Sequence, residues 1–277
     1  MTSPARILGA GTLILLLSQF STALAQSGQP DTALQQSLSV STRTPKFIAR
    51  DPARHPVQEL SFLGLSPTSS VIEIWPGSGY WTEILAPYLR DHGHYALALG
   101  DAEGSHVEKA FAKPPAFVAG SVVAAPYDRI TLTELAHGHD RIGAPGSADL
   151  VLTFRNLHNW MEQGDAQEML AAIHRVLKPG GIFGVEDHRS HLPGPQDPQA
   201  KSGYVRQDYA IRLIESAGFR LVGSSEINAN PKDTTDWPKG VWTLPPSLAL
   251  GDQDRARYVA IGEADNFVLK FVRTDDR

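Results

Sequence analysis

The feature that most constrains this chain is the run Val71-Ile72-Glu73-Ile74-Trp75-Pro76-Gly77-Ser78-Gly79. A short apolar strand passes through a glycine-rich turn directly into a segment of helical pattern, Tyr80–Arg90, which Pro87 should kink or shorten. Glycine lets a strand turn sharply and lets backbone approach a ligand closely. The helix start after the turn offers free N–H groups. In an open parallel sheet, ligands sit at the carboxyl ends of strands near the switch point. A tight strand-to-helix turn without a ligand has the same local form, so the meaning of the run depends on the rest of the chain.

Strands and helices alternate from this run onward. His94–Leu99, Phe117–Val123, Asp149–Phe154, Ile182–Val185, Phe219–Glu226 and Asn266–Val272 read as strands after Ser70–Ile74. Glu103–Ala112, Asp165–Leu177 and Gln207–Ala217 read as helices between them, with Lys178-Pro-Gly-Gly181 ending the second. Such alternation predicts βαβ units on a mainly parallel sheet. Asp149–Phe154 is apolar enough to be buried on both faces. Before the first strand, Asp51-Pro-Ala-Arg-His55-Pro56 opens a helix with Pro56 in its first turn. With 277 residues and 42% apolar content, the chain can bury one large α/β core.

The beginning of the chain has its own pattern. Arg6 precedes an apolar run, Ile7–Leu17, which leads to Ala23-Leu24-Ala25. That is the order of a secretory signal peptide, so residues 1–25 are expected to be removed after Ala25 and the protein to be exported, with a periplasmic destination. Losing Arg6 and no acid would move the formal charge from -5 to -6. No later run is long enough to span a bilayer, so no stable membrane insertion is expected after cleavage. Cysteine is absent, which excludes disulfides, thiolate metal sites and thiol nucleophiles. No dense Lys/Arg run exists, so nucleic acid is not an expected partner. Residues 26–50 read as a linker or N-terminal arm and 51–277 as the main domain. Asn228–Glu263, with Trp237, Trp242 and four prolines, reads as an insertion or lid within it.

The motifs resemble a known family. Glu73-Ile-Trp-Pro-Gly-Ser-Gly79 is similar to the first motif of class I methyltransferases, Ala148-Asp-Leu-Val-Leu152 to their fourth strand, and His174-Arg-Val-Leu-Lys-Pro-Gly-Gly181 to the link into their fifth. Together with Asn156-Leu-His158-Asn-Trp160 and Glu186-Asp-His-Arg189, the pattern resembles a bacterial group of exported predicted methyltransferases over about residues 51–272. The resemblance implies a Rossmann-like three-layer sandwich whose seven-stranded sheet has an antiparallel last strand. It implies S-adenosyl-L-methionine as cofactor, a small-molecule acceptor, and a cofactor site built from Glu73, Trp75, Pro76, Gly77, Ser78 and Gly79. Two positions depart from the family. Trp75 replaces a glycine, which predicts a turn that starts with ordinary dihedrals or differs in shape. Leu99 stands where an acid should grip the ribose, which leaves Asp101 for that work and Asp128 for the adenine region.

The loop after the fourth strand carries Arg155, Asn156 and His158, and the end of the fifth carries Asp187 and His188. Neighbouring strands should bring these together as the catalytic group. A histidine there can take a proton from a hydroxyl or amine, while methyl transfer needs mainly alignment. His158 read alone fits a hydrogen-bonded loop residue as well. His158, Asp187, His188 and His191 also form a conceivable ligand set, but no diagnostic metal spacing occurs and no metal is expected. Trp75, Tyr80, Trp81 and Trp160 suit either a pocket wall or the core. The expected function is methyl transfer from S-adenosylmethionine to a small molecule. The alternative is an exported, non-catalytic binding protein with the same fold, and metal-assisted hydrolysis is a third reading.

Overall fold

The computed structural model describes residues 31–100 and 125–275. The described residues begin with four short helices, α1 Thr32–Leu38, α2 Pro45–Ile48, α3 Asp51–Arg54 and α4 Pro56–Leu63. The single helix expected from Asp51 is in fact two, because His55 takes a left-handed φ of +43° between α3 and α4. Pro56 starts the second of them, where its missing N–H is no loss.

Strands and helices then alternate: β1 Ser70–Ile74, α5 Thr82–Leu89, β2 His94–Leu99, β3 Thr131–Ala136, β4 His139–Arg141, β5 Ala148–Phe154, α6 Leu157–Gln163, α7 Ala166–Val176, β6 Leu177–His188, α8 Gln207–Glu215, β7 Phe219–Ser225, β8 Pro238–Val241, α9 Arg255–Ile261 and β9 Asn266–Arg273. Eight strands form one sheet in the order β4-β3-β2-β1-β5-β6-β9-β7. β3, β2, β1, β5 and β6 run parallel, and β9 lies antiparallel between β6 and β7. The Rossmann-like class expected from the sequence is thus the fold observed, and the described residues contribute eight strands to the sheet. The strand β4, not expected from the sequence, turns back on β3 through His137-Gly138, with Gly138 at φ +69°. The expected helix Glu103–Ala112 and strand Phe117–Val123 lie outside the described residues. The strand that pairs with β2 is Thr131–Ala136, which the sequence reading passed over because its residues alternate weakly.

Side-chain alternation along β1 sorts two cores. Ile72 and Ile74 face α6 and α7 with Trp160, Met169, Leu170 and Ile173. Val71 faces the other way, with Leu60, Leu63, Ile84, Leu85 and Leu89 from α4 and α5. α7 presents Met169, Leu170, Ile173 and Val176 on one buried stripe, the 3.6-residue pattern that makes it a helix. Residues 31–50, read as a linker or arm, prove to be a packed arm. Leu34 and Phe47 are buried in the second core, and Thr44 donates through its N–H and hydroxyl to Glu83 at 2.7 and 2.6 Å. The segment 228–263 has its own small core of Val241, Leu244 and Tyr258, completed by Tyr204 and Ala264. Asp233, itself buried, anchors that core by accepting from Tyr204, Trp237 and the Asp265 N–H. Among the described residues no helix is long and apolar enough to cross a membrane.

Candidate active site

The carboxyl ends of β1, β5 and β6 converge, and the chain leaves β1 and β5 in strained conformations. Trp75, directly after β1, sits at φ +48°, and Arg155, directly after β5, at φ +62°. Of the two alternatives at Trp75, ordinary dihedrals do not hold. A left-handed conformation at a non-glycine residue persists only where its surroundings over-determine it, and here they do. The Trp75 N–H donates to Ala98 O at 2.9 Å, and its indole N–H donates to Leu135 O at 2.7 Å. The ring meets Trp160 edge-on at 6.1 Å. Asn156 completes the clamp: its Nδ2 donates to Ile74 O and Trp75 O at 3.0 and 3.2 Å. Asn156 is thus a tie between the two strand ends as well as part of the wall of the cavity at the turn.

Below the turn, Glu73 is buried, and its Oε2 accepts from Thr82 at the start of α5 and from Tyr95 on β2. Burial pushes its carboxyl up to about 7, opposed by the two hydroxyl donors. Above the turn, Gly77 at φ +58° leaves open space where a Cβ would stand, and Gly79 is also left-handed at φ +91°. A cavity of about 180 Å³ opens here, lined by Glu73, Trp75, Pro76, Gly77 and Ser78 on one side and by Arg54, Tyr80, Trp81, Arg155 and Asn156 around them.

A second cavity, about 260 Å³, adjoins it and shares Arg50, Arg54 and Arg155. His158, His188, Trp242, Pro245 and Pro246 complete most of its wall. The sequence expectation that strands four and five juxtapose their polar groups holds for His158, Asp187 and His188. His158 Nδ1 lies 2.8 Å from Asp187 Oδ1, and the His158 N–H donates to Asp187 Oδ2 at 2.9 Å. Asp187 is fully buried, and despite that burial its pKa is lowered, by His158 first. An ionised carboxylate only accepts, so His158 donates from Nδ1, the arrangement that in a neutral imidazole leaves the lone pair on Nε2. His188 Nδ1 lies 2.7 Å from Asn266 Oδ1, whose amide nitrogen donates to Glu186. Burial lowers His188 to about 3, so it is a neutral acceptor through Nε2.

His158, Asp187 and His188 have ligand-type atoms within 4.8 Å of one another. As a metal centre the set is poor, because Asp187 already accepts three bonds and only two imidazole nitrogens remain. His191 is bound elsewhere, to Asp265 at 2.7 Å. Asp128 lies just before β3, at the opposite end of the sheet from Trp75, in a bidentate pair with Arg90. Asp101 lies outside the described residues. A larger cavity, about 450 Å³, borders the amino ends of β1 and β2 and is remote from this chemistry.

The sequence reading missed Arg50, Arg54 and Glu263. Arg50 holds Glu263 in two bonds of 2.6 and 2.7 Å, and Arg54 Nε and Arg155 Nη1 approach the same carboxylate at 3.3 and 3.5 Å. No motif marks these residues; they meet because the arm packs against the sheet and segment 228–263 returns over its end.

Residues 76–185 match the profile of a family described as a methyltransferase domain. No curated protein sequence matches the chain. Among solved structures, it is similar to a SAM-dependent methyltransferase from Aquifex aeolicus, with a TM-score of 0.54 and 13% identity over 89% of this chain and all of the other. It is similar to a putative sarcosine dimethylglycine methyltransferase from Galdieria sulphuraria, with a TM-score of 0.51 and 11% identity over 84% of this chain and 88% of the other. The cyclase SpnF shares the fold at a TM-score of 0.52 and 14% identity, over 88% and 93%. The chain has the Rossmann-like fold of the class I methyltransferases, and the methyltransferase-domain match together with that fold supports S-adenosylmethionine as its cofactor.

Proposed function

We propose that the protein transfers a methyl group from S-adenosylmethionine to a small molecule, with His158 as the proton acceptor. The observation that carries this reading is His158, backed by Asp187, on the wall of a cavity that adjoins the one at the Pro76–Gly79 turn. The turn fits the amino-acid half of the cofactor: Gly77 leaves room for a ligand against the backbone, and the left-handed Trp75 directs the chain around it. Glu73, Gly77, Ser78 and Asn156 are the described residues that would hold or shape this end. When bound, the cofactor supplies an electrophilic methyl group on sulfur. The chain's own residues do the rest. Asp187 fixes the His158 tautomer and stabilises the imidazolium that forms when Nε2 takes a proton from a hydroxyl or amine. His188, held neutral, offers a second acceptor to orient the same donor. Trp242 stands against His158 at 6.2 Å and helps to exclude water.

Binding is the direct test. S-adenosylhomocysteine, the cofactor's product, should raise the melting temperature of the purified protein, since a ligand selective for the folded state must do so. No shift and no calorimetric heat at millimolar ligand would sink the proposal. SpnF, a cyclase, has the same fold, so that outcome would favour the binding-module alternative. Export is a separate part of the reading, supported by the pattern of residues 1–25. It predicts a mature chain beginning at Gln26, checked by N-terminal sequencing of secreted material.

A further inference from the structure

Arg54 is the residue that the proposed chemistry leaves unexplained. Its side chain is 2% exposed, lies 4.2 Å over the Tyr80 ring, and lines both cavities. Its Nε reaches Glu263 at 3.3 Å, but neither Nη group has a hydrogen-bond partner among the described residues. A buried guanidinium with an idle fork is expensive, because its donors have left water without replacement. Arg50 differs, since its Nε and Nη2 are already paired with the Glu263 carboxylate.

The charge on the wall of the 260 Å³ cavity is unbalanced in the same sense. Three guanidiniums, Arg50, Arg54 and Arg155, face one carboxylate on the wall, Glu263, with Glu186 behind Arg155 at 3.9 Å as the only other acid paired with any of them among the described residues. The two-pronged hold of Arg50 on Glu263 shows that a planar carboxylate suits this cluster. Val241, Trp242, Pro245 and Pro246 give the cavity an apolar patch beside the polar His158, Asn159, His188 and Asn266. A ligand that satisfies the cluster and the patch is anionic at one end and apolar along its body.

We propose that the site binds a small, largely apolar carboxylic acid, its carboxylate held by Arg54 and Arg155 and its body against Trp242 and Pro245-Pro246. Calling this acid the methyl acceptor rests on the methyltransferase reading; the acid site itself does not.

The test is calorimetric titration of the full chain at neutral pH with benzoate, benzamide and inorganic phosphate, each with and without saturating S-adenosylhomocysteine. Benzoate should bind in both conditions. Benzamide should bind at least about tenfold more weakly, since truncating one side of a buried charged hydrogen-bond pair typically removes that much or more. Arg155→Gln and Arg54→Gln should each weaken benzoate by about tenfold or more and leave benzamide within about twofold. Arg155 is more exposed than Arg54, so its variant retains the test if Arg54→Gln fails to fold. Equal binding of benzoate and benzamide, binding of neither, or tighter binding of phosphate than benzoate would overturn the proposal. So would an Arg54→Gln protein that keeps benzoate and loses S-adenosylhomocysteine, which would assign Arg54 to the cofactor. Benzoate binding without any affinity for S-adenosylhomocysteine would support the acid site and defeat the methyltransferase reading.

Discussion

Glu73→Gln should change how stability depends on pH, and the size of the change is set by where Glu73 sits. Its carboxyl is 1% exposed, under the first turn of α5, and burial moves it from the ordinary 4.5 to about 7. The folded protein therefore binds a proton there more tightly than the unfolded chain does. Stability from this group is complete below pH 4.5 and is lost as pH rises through about 7. A rise from 4.5 to about 7 is worth roughly 3 kcal/mol at about 1.4 kcal/mol per unit, of which about 2.5 falls between pH 5 and pH 8. Glu186, pushed up to about 7, and Glu59, raised by burial and by Glu186, act in the same direction. Their contributions cancel when wild type and Glu73→Gln are compared at each pH, because neither is altered by the substitution. Glutamine keeps the shape and an oxygen for Tyr95 and Thr82 but does not titrate. Urea unfolding followed by tryptophan fluorescence at pH 5, 6, 7 and 8 gives the difference directly. Wild type should lose about 2.5 kcal/mol relative to the variant across that range. A difference that stays constant to within about 0.5 kcal/mol would refute the raised carboxyl and, with it, the view that Glu73 is a neutral prop under the turn.

Three further perturbations test other parts of the site. Gly77→Ala places a methyl group in open space but keeps φ +58°, so it should lower stability by only about 1 kcal/mol while weakening S-adenosylhomocysteine by about tenfold or more, read by denaturation and calorimetry. Gly240→Ala is the contrast: its Cβ would stand 2.1 Å from Ser202 O at φ +55°, so a loss of at least about 2 kcal/mol is expected, with segment 228–263 becoming protease-sensitive. Asp187→Asn should leave S-adenosylhomocysteine affinity within about threefold and, once an acceptor is in hand, slow transfer by about 10² to 10⁴ while moving the pH profile, the range a positioned base supplies.

Much of the frame was legible because its signals are local. Ser70–Ile74 and His94–Leu99 announced themselves by short apolar runs, and α7 by its stripe of Met169, Leu170, Ile173 and Val176. The pairing of His158 with Asp187 was legible at one remove, since neighbouring strand ends had to bring their loops together. Other features have no local signature. Thr131–Ala136 is half exposed and alternates poorly, and its place beside β2 is set by the sheet. Arg50 ends a stretch without strong period and Arg54 lies in the short helix after it, and neither belongs to a motif. They reach the site only because α1 and α2 pack on the sheet's helical layer and Glu263 closes over them from more than 200 residues away.

Trp75 shows how the departure from the family pattern is accommodated. A glycine at the end of β1 would adopt φ +48° without strain, whereas a tryptophan costs about 1–2 kcal/mol there. Against that, the ring packs on Trp160 and Gly100 and its indole N–H is bonded to Leu135, contacts that no glycine makes. Trp75→Gly should therefore destabilise the protein by about 2–3 kcal/mol despite relieving the strain, because a half-buried tryptophan contributes roughly 3 kcal/mol of packing and glycine adds about 1 kcal/mol of chain entropy. Thermal and urea unfolding of the variant measure the balance. A variant as stable as wild type or more so would mean that the indole contacts do not hold the turn. The same logic applies to Arg155 at φ +62°, whose N–H is fixed to Glu186 O at 2.7 Å. Asn156, bonded to both carbonyls at the end of β1, joins the two strained residues into one unit. Asn156→Ala should then lower stability and loosen the Pro76–Gly79 turn together, so a loss of stability of about 1–3 kcal/mol with unchanged S-adenosylhomocysteine affinity would separate the clamp from the binding site.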